Sequence, residues 1–151
     1  MPVSGSQTNN DAPDAERLRQ ALVDAGFEIY RADGGSIVLA ERVRMHLMES
    51  GVSLVTGSEL QITVCVRTQR TDHPGDDAAT MLDRVRSAVA ATVAERGFAE
   101  SAAESRDIMH PSEQGNVLDV WHEVTFSRQV EEEQLHDHLR WALALPRCVT
   151  S

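Results

Sequence analysis

The sequence predicts an α+β fold: an antiparallel or mixed β-sheet packed against helices, with an extra helix at the C-terminus. Three observations point there. Residues 60–66 and 118–126 alternate apolar and polar side chains, the mark of a strand with one buried face. Residues 78–96 carry Leu82, Val85, Val89 and Val93 at helical spacing, a stripe suited to cover such a face. Helices stand between runs of strands and do not alternate strictly with them, which argues against an all-parallel sheet.

Residues 1–12 are small and polar and read as a flexible arm, since they offer little to bury. Pro13-Asp14-Ala15-Glu16 opens a first helix, with acids where the helix dipole is positive. Leu18, Ala21, Leu22 and Ala25 form its apolar stripe. Gly26 ends it cheaply in the left-handed conformation and Phe27 locks the end, a device repeated at Gly97-Phe98. Residues 28–32 and 36–40 make two strands joined by the hairpin signal Asp33-Gly34-Gly35. In residues 41–50, Arg42, Arg44 and His46 alternate with Val43, Met45 and Leu47, which predicts a strand; Val43 and Leu47 at i, i+4 leave a helix as the alternative. Gly51 is expected to break that run.

The clearest strand follows, with Leu60, Ile62, Val64 and Val66 facing inward and Gln61, Thr63, Cys65 and Arg67 outward. Residues 71–77 are an acidic Pro/Gly loop ending in an N-cap for the long helix. Residues 99–110 are weakly patterned, though Ile108 and Met109 suit a strand, and 111–116 read as a hairpin tip. Residues 117–128 form the second confident strand, with Leu118, Val120, His122, Val124 and Phe126 on one face. Asp119, Trp121, Glu123, Thr125 and Ser127 take the other. Glu131-Glu132-Glu133 starts a last amphipathic helix through Leu135, Leu139 and Leu143, which Pro146 ends. The expected organisation is an arm at 1–12, one α+β domain at 13–128 and a helix with its tail at 129–151. The segments 59–68 and 117–127 are expected in one sheet, packed on the helix at 78–96.

The 151 residues are enough for one core. Acids outnumber bases 24 to 14, every base is Arg, and the formal net charge is −10. That balance repels phosphate backbones and argues against sequence-independent nucleic-acid binding. Cys65 and Cys148 belong to no CxxC pair and cannot form a disulfide framework. The first residues resemble no secretory leader, and no apolar run nears the roughly 18 residues of a membrane span. A soluble protein in a reducing cytoplasm is the expectation.

The candidate chemistry is thin. His136 and His138 flank Asp137, but residues two apart on a helix point away from each other, and no HExxH pattern or Cys/His quartet is present. His122 on the inward face of its strand suits a general base, yet no nucleophile or paired carboxylate can be assigned to it. Cys65, mid-strand, has no helix N-terminus or evident cation to lower its pKa. Asp72, Asp76 and Asp77 lack the spacing of a calcium loop. Asp33-Gly34-Gly35 joins two strands, where a phosphate loop would lead into a helix. No catalytic, cofactor-binding or metal-ligating residue is assigned, and the expectation is a protein without enzymatic turnover. The last helix is the feature that suggests a partner, with Leu135, Leu139, Trp141 and Leu143 as a possible subunit interface; packing onto its own sheet is the alternative.

The order of elements resembles a known family. A short helix, the hairpin at Asp33-Gly34-Gly35, the strand Leu60-Gln61-Ile62-Thr63-Val64-Cys65-Val66, a Pro/Asp loop with a helix from Asp76, and the strand Asp119-Val120-Trp121-His122-Glu123-Val124-Thr125-Phe126 are similar to the tail terminator proteins of long-tailed bacteriophages and to related head–tail connector and tail-completion proteins. The resemblance spans about residues 14–128 and leaves the last helix as an addition. It implies a virion protein, made in the host cytoplasm, that forms a hexameric ring on the head-proximal end of the tail. Such a ring ends polymerisation of the tail tube protein and meets the head-completion or stopper protein, while DNA passes through its lumen without specific binding. It implies no catalytic residue and no cofactor. The last helix, or the loop at 69–77, is then expected to contribute to a subunit contact. The rival expectation is a cytoplasmic α+β regulatory or ligand-binding domain of a GC-rich bacterium.

Overall fold

The computed structural model describes residues 11–113 and 115–146, with side chains from Ala15 onward. The expected arm therefore lies almost wholly outside the described residues, although Asp11 and Ala12 already belong to the first helix. The elements in chain order are α1 (Asp11–Asp24), β1 (Ile29–Asp33), β2 (Ser36–Val43), β3 (His46–Val55), β4 (Leu60–Gln69), α2 (Ala78–Glu95), β5 (Ala99–Met109), β6 (Val117–Val130) and α3 (Leu135–Leu143). The strands form one open antiparallel sheet in the order β1-β2-β3-β4-β6-β5, so the fold is α+β and segments 59–68 and 117–127 share a sheet. No described helix is long and apolar enough to cross a membrane.

The contacts group into two compact units. One runs to Val64 and takes in Gln129–Leu145; the other is Cys65–Arg128. In the first unit α1 ends at Gly26, whose φ of +96° is the left-handed conformation that glycine adopts without strain. The amide of Phe27 reaches back to the carbonyl of Leu22 and that of Gly26 to Val23, closing the helix while the Phe27 ring is buried. β1 and β2 turn through Gly34-Gly35, with Asp33 paired to Ser36. Ile37, Leu39, Leu54, Ile62, Leu18 and Leu22 are buried, and α3 adds Leu135, Leu139 and Ala142.

The expectations for 41–51 need correction. Residues 41–50 are extended, as one of the two alternatives held, but they are not one strand: β2 and β3 reverse through Arg44-Met45, with Arg44 at φ +59°. Gly51 does not break the run either. It sits inside β3 at φ +87°, where the β2–β3 register shifts between Val38 and Ala40. That is a bulge. The hydroxyl of Ser50 stabilises it, donating to the Leu39 carbonyl at 2.7 Å and accepting from the Val52 amide at 3.1 Å. The triple glutamate also falls elsewhere than expected. It lies at a 3-10 turn, Glu132–Gln134, and the α-helix begins only at Leu135.

In the second unit β4 alternates as expected, with Val66 and Thr68 buried and Cys65, Arg67 and Gln69 half-buried. Asp77 caps α2, its carboxylate accepting from the Thr80 amide at 2.8 Å, and those bonds hold its pKa below the usual carboxylate range. The buried stripe of α2 is Met81, Val85, Val89 and Val93; Met81, not Leu82, continues the i, i+4 row. Gly97 and Phe98 repeat the ending of α1, with Gly97 at φ +82° and the Phe98 amide bonded to the Val93 carbonyl. The weakly patterned segment 99–110 is an eleven-residue strand, β5, exposed along nearly all its length. β5 pairs with β6 from Ala99↔Ser127 to Met109↔Val117. Because β5 is last in the sheet order, its outer backbone edge has no partner strand among the described residues.

Candidate functional site

Two places hold features that packing alone does not account for. The first is the outer half of the β2–β3 hairpin. β1 pairs with β2 only as far as Leu39, and β4 pairs with β3 only over Val52–Val55. Beyond those limits the two strands pair only with each other, through Glu41↔Met48, Arg42↔Leu47 and Val43↔His46. The alternation Arg42, Arg44, His46 against Val43, Met45, Leu47 is what makes both strands extended. With no neighbouring strand or helix on either side among the described residues, it leaves residues 42–48 exposed. Val43, Met45, Leu47 and Met48 all face water, Met45 at 90 % exposure. Arg42 is held by Glu28 at 2.8 Å, and Arg31 reaches Glu49 at 3.3 Å. The side chains of Arg44 and His46 make no hydrogen bond or ion pair with any described residue.

The second is the face of β4, β6 and β5 turned away from α2. Glu100 pairs in register with Phe126 and binds Arg86 of α2 through two hydrogen bonds of 2.8 and 3.0 Å, which fixes the α2 side of the sheet. The Glu100 carboxyl is held below its usual range by that guanidinium. On the opposite face Trp121 stands between two arginines. The Arg67 guanidinium lies 3.7 Å from its ring centroid, and Arg106, directly across on β5, lies at 5.2 Å. Arg106 also donates to Glu123 at 2.8 Å, and the Cys65 thiol donates to the other oxygen of the same carboxylate at 3.6 Å. Burial, and then the charge of Glu123, push the Cys65 thiol up to about 11, so it stays protonated and is a poor nucleophile. Within this cluster Arg106 and Cys65 share the Glu123 carboxylate, and the Trp121 ring is flanked by two guanidinium groups.

The other expected candidates are placed as follows. His122 is buried on the α2 side, its Nδ1 2.7 Å from the Ser105 hydroxyl, and loss of hydration lowers its pKa. His138 is buried while His136 lies 5.6 Å from the Phe27 ring, so the two point apart. Asp76 binds Arg84 at 2.7 Å and Asp77 caps α2. Asp72 lies in the exposed turn Arg70–Asp72, next to Thr71, which binds Asp119 through its amide and hydroxyl at 3.2 Å each. Among the described residues no three His, Cys, Asp or Glu side chains converge. Cys148 lies outside the described residues.

Of the four suggested interface residues, Leu135 and Leu139 are core side chains of the first unit, while Trp141 and Leu143 are half-buried. The helix is tied to its own unit by Arg140, which stacks 5.1 Å from Phe27, and the turn before it by the two-pronged pair of Glu132 with Arg17. A cavity of about 450 Å³ beside Phe27 is lined by Glu28, Ala40, Arg140 and Leu143. Sequence reasoning missed the exposed hairpin arm, although its signal was present: apolar residues alternating with Arg and His in a segment that no turn residue divides. Comparison with protein-family models, with curated proteins and with solved structures finds no match.

Proposed function

We propose that this protein acts by assembly, as the subunit of a tail-terminator-type ring on a long-tailed phage. In this reading about six copies close into a ring on the finished tail tube, stop its growth and present a surface to the head-completion protein. The protein is made in the host cytoplasm and ends in the virion. Turnover plays no part. The observation that supports the reading most is the β2–β3 arm, which leaves four large apolar side chains in water. Such an arm suits a protein whose contacts are completed by other chains. A net charge of −10 is compatible with a lumen through which DNA slides, because like charges keep the duplex off the wall.

Negative-stain imaging of the purified protein, alone and with tail tubes, tests this directly. Rings seated at tube ends, with tube growth arrested, are the expected result. Monomers that never associate with tubes would defeat it, as would a hydrolytic or transfer activity lost on His122→Ala or Cys65→Ser. A discrete dimer that takes up a small molecule in the cavity beside Arg140 would favour the regulatory or ligand-binding alternative.

A further inference from the structure

We propose that the β2–β3 arm of one copy docks on the far end of the β5–β6 hairpin of a second copy, joining subunits head to tail. This inference rests on the assembly reading and names the surfaces that carry it. The arm needs an occupant for its faces: a two-stranded ribbon with no third strand or helix behind it is marginal by itself in water. It offers Met45 at its tip and Leu47, Val43 and Met48 along its length, together with the Arg44 guanidinium and the His46 imidazole.

The β5–β6 hairpin offers the complement. Met109 and Leu118 are exposed there, Leu118 at the irregularity between the pairs Ile108↔Asp119 and Met109↔Val117. The side chains of Glu104 and Asp107, on opposite faces of the same strand, are exposed and make no ion pair or hydrogen bond with any described residue. Apolar groups meet apolar groups, and the Arg44 cation meets the Asp107 carboxylate. The outer backbone edge of β5 lies open beside them.

Charge also selects a second copy in this particular arrangement. Arm against arm would bring Arg44 to Arg44, and β5 against β5 would crowd Glu104 and Asp107 with their own copies; like charges across an interface disfavour both. What remains is a contact between two different surfaces, and such a contact repeats until it closes into a ring.

The test uses the full chain with Arg44→Glu, Asp107→Arg and the two combined. Mass is measured by light scattering over a concentration series, and circular dichroism confirms that each variant folds. Each single reversal is expected to weaken self-association at least about tenfold, and the combined variant to regain it. Wild-type-like association of the single variants, no recovery in the combined one, or a wild type that stays monomeric would overturn the docking proposal. Tube capping is scored separately. Variants that still cap tubes after losing nothing in self-association leave the terminator reading standing without this contact. Rings that form through this contact but never bind tubes keep the contact and remove that reading.

Discussion

The β2–β3 hairpin contains two environments within the same pair of strands. In the inner half Ile37, Leu39, Val52 and Leu54 are buried, and Leu54 has no exposure at all. In the outer half that face continues through Val43 and Met48, yet Met48 is 44 % exposed. The backbone and the side-chain types are alike. The difference is company: β1 and β4 flank the inner half and stop short of the outer one. Alternation decides which side chains share a face, and neighbouring elements decide whether that face is covered. Gly51 and Ser50 stand at the join, where a bulge lets one ribbon leave the body of its unit.

The most severe way to break the buried side is Val64→Asp. It places an unpaired carboxylate on β4 opposite Val52, at a site with 3 % exposure, and should cost about 3 kcal/mol or more. Thermal melts are expected to show a chain that no longer folds cooperatively. Leu54→Ala and Leu47→Ala then sharpen the contrast between the two halves. The first removes a core side chain and should lower stability by about 2–5 kcal/mol. The second should change monomer stability by about 0.5 kcal/mol or less while weakening self-association. Equal losses in denaturant titrations would mean that the arm is supported by its own chain.

A smaller effect is expected from His122. Its folded pKa lies below the unfolded value of about 6.5, so the unfolded chain binds the proton more readily. Its contribution is fully present above about pH 6.5 and declines as pH falls through the window down to the folded value. The acid-side slope of stability should be shallower in His122→Gln. The least effect is expected for Cys65→Ser, because serine can still donate to Glu123 from a half-buried, outward position. A melt as damaged as that of Val64→Asp would mean the two faces of β4 had been exchanged.

Several parts of the fold were legible because their causes are local. The alternation of Ile62, Val64 and Val66 needs one covered face, whichever element covers it. Gly26-Phe27 and Gly97-Phe98 end helices by backbone geometry, and Asp77 caps α2 with its own carboxylate. Asp33-Gly34-Gly35 turns because glycine adopts what such a tight reversal requires. The arm was half legible, since extension was written in its alternation but the reversal was not: Arg44-Met45 lacks every usual turn residue, and Arg44 is held at positive φ only by the pairing on either side. β5 was illegible because an edge strand exposed on both faces has no reason to alternate. The same holds for the choice of Met81 over Leu82 and for the exposure of Leu118 at the end of its strand. Sequence by itself determined periodicity, caps and glycine turns, which depend on a few neighbouring residues. Tertiary structure decided which faces are covered, where strands reverse without a turn signal, and which apolar residues are left for another chain, because those depend on elements distant along the chain.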